Sequence, residues 1–243
     1  MPSEEELGKK AKPAFDILAW QPRTSIGKMV KEGKITSIDH LLDNGLRILE
    51  PGIVDALLPG LEVELLMIGQ SKGKFGGGQR RIFKQTQHKT PEGNRPAFST
   101  IAVVGNYNGY VGCGFGKAKD TLPAREKAIR NAKLSIFKIM RGCGSWECGC
   151  GTPHSIPFMV EGKCGSIRMK LLPAPKGTGL CVQKECAKMI KLAGIKDIHS
   201  VVFGQTRSAI NLVFACVEAL KALTKSKIRA HERERLSIAE AAV

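Results

Sequence analysis

Acidic residues, aromatic rings and long apolar runs are all scarce in this chain, and each shortage excludes something. Asp and Glu total 22 against 38 Lys and Arg, for a formal net charge of +16. So basic a balance points to a polyanionic partner, either nucleic acid or an anionic membrane surface. Aromatics make up 5% of the residues, too few for a platform on which unpaired bases stack in succession. Recognition of folded RNA through its shape and backbone fits better. No apolar run approaches the roughly 18 residues that cross a bilayer. Met1 to Lys12 is charged and has no apolar core, so no secretory signal is read there. The expectation is a cytoplasmic address with no membrane partner. Enzyme frames are missing as well: no HExxH, no Ser/His/Asp order of a known type, no paired carboxylates. His40, His88, His199 and His231 stand alone, and a protein that is not an enzyme is expected.

What is present is a globular chain of 243 residues, 42% hydrophobic, with an unusual glycine pattern. Gly109-Tyr-Val-Gly-Cys-Gly-Phe-Gly-Lys-Ala-Lys119 reads as a strand. Gly112, Gly114 and Gly116 are spaced by two, which puts them on one face of it and excludes a phosphate-cradling nucleotide loop. Glycine weakens a strand, and close approach of another backbone is the usual reason for it. With Lys117 and Lys119 at the strand's end, RNA is the first reading of that backbone. The underside of the following helix is the second.

Around this strand the chain divides into five stretches. Residues 1–60 read as an N-terminal arm with short helices; Met1 to Gly33 is irregular, either an arm laid on a partner with Trp20 as its anchor or a freely disordered segment. Residues 61–141 read as an RNA-binding domain. It has a strand over Leu61–Ile68, a basic glycine-rich loop over Gln70–Arg81, a polar strand over Gln79–His88 and an apolar strand over Pro96–Gly105. A turn at Asn108-Gly109 leads to the glycine strand, and a helix follows from Leu122 to Met140. That helix buries Ala128 or Ile129, Ala132, Ile136 and Ile139 or Met140, and leaves Lys127, Arg130, Lys133, Lys138 and Arg141 off the stripe. Residues 142–155 are a Cys/Gly-rich linker. Residues 156–223 read as a small α/β domain: strand Ser166–Leu172, tight loop Pro173–Gly179, helix Val182–Leu192, strand Asp197–Phe203, helix Arg207–Leu223. Residues 224–243 are a charged tail. The expected class is α+β, with the second domain's helices on one face of its sheet.

Two constellations carry chemistry. In the first, glycines Gly76, Gly77 and Gly78 let the backbone approach phosphates, while Lys72, Lys74, Arg80, Arg81, Lys84, Lys117 and Lys119 neutralise them and Gln79 adds a polar contact. In the second, Cys143-x4-Cys148-x-Cys150-x3-His154 brings three thiols and an imidazole into one glycine-rich loop, a set that suits structural zinc. Cys164 is an alternative fourth ligand. Cys113, Cys181, Cys186 and Cys216 lie apart and read as core residues. Eight cysteines in a reducing compartment are not expected to form a disulfide framework.

Gly78-Gln-Arg-Arg-Ile-Phe83, Val103 to Lys119, Leu172-Pro-Ala-Pro-Lys-Gly-Thr-Gly179, Leu192-Ala-Gly-Ile-Lys-Asp197 and the Arg207–Asn211 helix start together resemble one family. It is the universal small-subunit ribosomal protein number five, in its archaeal and eukaryotic form. The Gly142–His154 loop and the long N-terminal arm resemble that branch in particular. The resemblance implies a first domain like a double-stranded-RNA-binding domain. It also implies a structural role in the small ribosomal subunit, bound to rRNA near the decoding region and the channel by which mRNA enters. Expected protein neighbours are small-subunit ribosomal proteins three, four and eight, with the Pro173–Gly179 region toward number four. Subunit assembly and translational accuracy are the functions it implies. A zinc-dependent nucleic-acid enzyme and a free RNA chaperone are the alternatives.

Overall fold

The computed structural model describes residues 17, 19–71, 73 and 78–241. They form a mixed α/β fold with two sheets and seven helices. Three short helices come first: α1 Ser25–Lys31, α2 Ile38–Asp43 and α3 Pro51–Leu57. The Thr24 hydroxyl caps α1 by accepting from the Gly27 amide at 3.1 Å. The Glu50 carboxylate accepts from the Arg23 and Thr24 amides and so ties the start of α1 to the start of α3. Residues 25–31 are therefore helical, where the sequence predicted an irregular stretch, while residues 20–24 have no regular structure. Trp20 closes against Gly52 of α3, where an added Cβ would lie 2.6 Å from the indole nitrogen. The indole packs inside the molecule, where the sequence left both an anchor on a partner and free disorder open.

The first sheet is antiparallel throughout and holds β1 Glu62–Leu65, β2 Lys84–Thr90, β3 Gly93–Gly105, β4 Tyr110–Ala118 and β5 Ile136–Lys138. Helix α4, Thr121–Leu134, crosses the face of β3 and β4 that carries Ala102, Val104 and the glycines. A Cβ on Gly112 would sit 2.2 Å from the Ala132 carbonyl oxygen, one on Gly114 2.1 Å from the Ala132 nitrogen, and one on Gly116 2.2 Å from the Ala124 carbonyl oxygen. The backbone that the glycines admit is thus that of α4, and the RNA reading of these three positions is overturned. Ala124, Ala128 and Ala132 are the matching small residues on the helix, all fully buried.

Helix α4 ends at Leu134, six residues before the expected Met140. The Ser135 hydroxyl bonds the Asn131 and Cys113 carbonyls at 2.8 and 2.7 Å, and Ile136–Lys138 then pair with β4. Ile136 and Ile139 kept a helical period because they pack into the two cores on opposite sides of the sheet. Since β5 covers only Tyr110–Gly112, the exposed edge of β4 beyond it is closed by side chains. Ser135 takes the Cys113 carbonyl and Asn131 the Phe115 carbonyl. At the β3–β4 turn the positive φ falls on Tyr107 (58°) and Gly109 (99°), and the Asn106 side chain accepts from the Asn108 and Tyr110 amides.

The second sheet has the order β6–β7–β9–β8, from β6 Val160–Cys164, β7 Ile167–Pro173, β8 Leu180–Cys181 and β9 Ile198–Phe203, with only β8 and β9 parallel. Helix α5, Lys184–Leu192, connects those two strands, and α6, Ala209–Lys225, lies on β6 and β7. Strand β6 escaped the sequence reading because Gly162 interrupts it. A Cβ there would meet the Ala215 carbonyl at 2.1 Å and the Ala219 nitrogen at 2.3 Å, so glycine under an alanine-bearing helix recurs in this half. The two halves share one core: Ile101, Val103, Val111 and Cys113 of the first sheet pack with Cys186, Met189 and Ile190 of α5 and with α6. The tail folds back on the molecule over its described residues. After α7, Ala230–Arg235, it returns to pair Ala239 with Arg141.

Candidate nucleic-acid interface and metal centre

Register decides the basic surface. Lys84 of β2 and Lys117 of β4 both stand opposite Ser99 of β3, so the two lysines flank one residue on the sheet face away from α4. Arg80 and Arg81 approach from the preceding segment, held by the Ser71–Arg80 bridge and by Gly69 and Gln70, which exchange backbone bonds with Arg81. They line a cleft of about 430 Å³ with Gln79, Gln85, Phe98 and Thr121, the first residue of α4. Lys119 is exposed on the connection from β4 to that helix. Gly78 turns the chain with a φ of 70°. Lys72, Lys74, Gly76 and Gly77 lie outside the described residues.

Pairing separates the cations. Among the described residues, Arg80, Arg81, Lys84, Lys117 and Lys119 have no acidic group within 4.0 Å, and neither do Arg125, Lys127 and Arg130 on α4. Three of the residues expected off the α4 stripe are instead used internally. Lys133 meets Asp55 of α3 at 2.7 Å, Lys138 meets Asp43, and Arg141 donates to the Asn108 side chain at 2.5 Å. Burial works against the Lys138 ammonium, but Asp43 and Asp39 outweigh it and hold its pKa above the ordinary lysine value.

The Cys/Gly-rich stretch is a pinched loop. Gly142 and Ser155 exchange backbone hydrogen bonds of 2.9 Å at its neck, and Gly144 lies so close to Pro157 that a Cβ would be 2.0 Å from its carbonyl oxygen. Within it the Cys143, Cys148 and Cys150 sulfurs and a His154 ring nitrogen all lie within 4.8 Å of one another. Four ligands around tetrahedral zinc, with Zn–S near 2.3 Å and Zn–N near 2.0 Å, stand about 3.5–3.8 Å apart. Here Cys143 Sγ to Cys150 Sγ is 3.7 Å, and Cys148 Sγ to His154 Nε2 is 3.6 Å. The donor set therefore fits a zinc ion. The Thr152 hydroxyl, 3.1 Å from its sulfur, leads in lowering the Cys150 thiol to about 6. Burial, then the neighbouring thiols, push Cys143 up to about 11. Cys164 is not part of the group: it ends β6 and pairs with Ile167. Cys113, Cys186 and Cys216 are buried as expected, but Cys181 is exposed.

Comparison with known proteins places this architecture. Residues 79–140 match the family described as ribosomal protein S5, N-terminal domain, and residues 162–233 match ribosomal protein S5, C-terminal domain. The chain belongs to the ribosomal protein S5 family. A protein of Nanoarchaeum equitans named small ribosomal subunit protein uS5 is 51% identical over 88% of this chain and 92% of its own length. The Methanocaldococcus jannaschii protein of the same name is 49% identical over 94% of this chain and 99% of its own. That from Staphylothermus marinus is 48% identical over 83% and 87%.

The two S5 matches cover β2 through β5 with α4, and β7 through α7; the Cys/His loop falls between them. Sequence reasoning about this S5 protein missed Asp197 as part of that centre. Its carboxylate oxygen Oδ2 lies 2.8 Å from His154 Nδ1, and both side chains are buried, at 5% exposure each. No local pattern signals the pair, because 43 residues separate the two.

Proposed function

We propose that this S5 protein is a structural constituent of the small ribosomal subunit that binds rRNA in cytoplasmic ribosomes. The observation that carries the reading is the set Arg80, Arg81, Lys84, Lys117 and Lys119, which among the described residues have no acidic group within 4.0 Å and gather around the start of β2 and the end of β4 on a sheet backed by α4. Phosphates supply the missing counter-charges and release condensed cations when bound. Strands β2–β3–β4 followed by a helix packed on one face support a unit over 61–141 that acts like a double-stranded-RNA-binding domain, touching the backbone and not the base edges. Lys72, Lys74, Gly76, Gly77, Gly78 and Gln79 extend its RNA-facing surface. The finer assignment is a position near the decoding region and the mRNA entrance, beside small-subunit ribosomal proteins three, four and eight. There the 156–223 unit turns its Pro173–Gly179 loop toward number four. Contributions to subunit assembly and translational accuracy follow from that position.

A structural zinc ion held by Cys143, Cys148, Cys150 and His154 completes the proposal. Four protein ligands close the coordination sphere and leave no position for a reacting water, which weighs against a zinc-dependent enzyme. Bound there, zinc supplies ligand bonds that cross-link the 142–155 loop.

Sedimentation of cell lysate tests the function: the chain travels with small subunits, and Arg80→Glu with Lys117→Glu leaves it at the top of the gradient. Normal incorporation of that double variant removes the case for this surface. Binding to RNA duplexes with no preference for rRNA, away from subunits, favours the free chaperone.

A further inference from the structure

Asp197 has more work than an ordinary buried carboxylate. Its Oδ2 faces His154 Nδ1 at 2.8 Å, and its Oδ1 accepts from the Gly179 amide at 2.8 Å and the Gly177 amide at 3.1 Å. Its own backbone amide and that of Lys196 donate to the His154 carbonyl at 3.2 and 2.9 Å. One residue thus grips His154 at both ring and backbone while holding the turn that follows Pro175. A carboxylate at Nδ1 keeps the proton on that nitrogen and leaves Nε2 bare on the side of Cys148, the form in which imidazole binds metal. The same turn carries Lys176. With Lys191, Lys196 and Arg141 it lines a cleft of about 770 Å³ that Thr152, Pro153 and His154 of the metal loop also line.

Resting on the zinc reading above, we infer that Asp197 is a positioning residue that couples a metal ion on Cys143, Cys148, Cys150 and His154 to the order of the Lys176–Gly179 turn. One ion thereby braces two segments that line a basic cleft. With the ion bound, His154 is fixed at Nε2 as well as Nδ1, and Asp197 is held where its second oxygen can take the two glycine amides. Without it, His154 loses one of its two ring restraints. Asp197 then loses a fixed partner, and the Gly177 and Gly179 amides open more often.

Hydrogen exchange on the full chain, loaded with zinc and then stripped by chelator, reads this directly. The expected result is exchange at the Gly177 and Gly179 amides that rises at least about tenfold on stripping, with little change at α4. In parallel, Co(II) titration of Asp197→Asn is expected to keep the tetrahedral absorption bands while the affinity falls about 10–100-fold, the usual cost of losing an outer carboxylate. If the ion binds but glycine exchange does not change, the coupling is wrong and the zinc reading stands. If the wild-type chain binds neither zinc nor Co(II), the zinc reading falls and the coupling with it. The wild-type comparison needs no variant, so misfolding of Asp197→Asn leaves the test decisive.

Discussion

Replacing Gly114 by alanine sets the packing account of the glycine strand against the RNA account. The new Cβ would lie 2.1 Å from the Ala132 nitrogen, 2.4 Å from the Ala128 carbonyl oxygen and 2.6 Å from the Asn131 carbonyl carbon. All three are helix backbone, so no side chain can swing away, and α4 must rise by more than 1 Å to restore ordinary van der Waals spacing. Overpacking a core costs about 1–3 kcal/mol, and a rigid helix as the obstacle puts this site at the upper end. Alanine regains about 0.5–1 kcal/mol from the unfolded chain's lower entropy. The net expectation is a loss of about 2 kcal/mol, a large share of the 5–15 kcal/mol typical of a folded domain. Urea unfolding of the free chain followed by circular dichroism measures it; with a slope of about 2 kcal/mol/M the midpoint falls by about 1 M. Gly73→Ala, which meets nothing within 4 Å, is the control. Were the glycines there for RNA, the free variant would be slightly more stable than wild type and only RNA binding would suffer. An unchanged or raised midpoint for Gly114→Ala therefore refutes the close-packing explanation.

Arg80→Glu with Lys117→Glu weakens binding to rRNA fragments. It also flattens the plot of log affinity against log salt by about 0.7–0.9 for each phosphate no longer neutralised, and an unaltered slope places the phosphates elsewhere. Cys148→Ser, or chelator, removes one equivalent of zinc measured by elemental analysis, and undiminished zinc in the variant rules out this ligand set. In native protein at pH 8 iodoacetamide labels Cys181 and spares Cys113, because burial raises the Cys113 pKa to about 12 and keeps it a neutral thiol. The same shift has a sign in stability. Above pH 9 the unfolded chain releases a proton that the folded chain keeps, so stability falls as pH rises from about 9 toward about 12. Denaturation midpoints that hold steady over that range count against a buried Cys113.

Much of the site was legible because its signals are local. Arg80, Arg81, Lys84 and Lys117 stand out as charges beside glycines and strands, and Cys143, Cys148, Cys150 and His154 lie within twelve residues of one another. Which basic residues remain available was not legible. Lys127 and Lys133 look alike along the helix, yet Lys133 is neutralised by Asp55, 78 residues earlier. The end of α4 was misplaced for a related reason. An apolar residue facing a core carries the same label whether a helix or a strand presents it, and Ile136 belongs to a strand. Strand β6 was missed because Gly162 breaks its alternation, and the need for glycine there comes from α6, more than fifty residues away.

Charge, the glycine spacing of two and the cysteine–histidine loop belong to the sequence alone, since composition and short-range periodicity need no partner to be read. They sufficed for a basic α+β protein, a strand with one bare face and a zinc-type ligand set. The tertiary structure decided what lies against that bare face, and it is the backbone of α4. It also decided which cations keep no acid beside them, and that Asp197 joins His154 to the Gly177–Gly179 turn. Each of these joins residues far apart in the chain, settled by how sheets and helices pack, and local pattern holds no record of it.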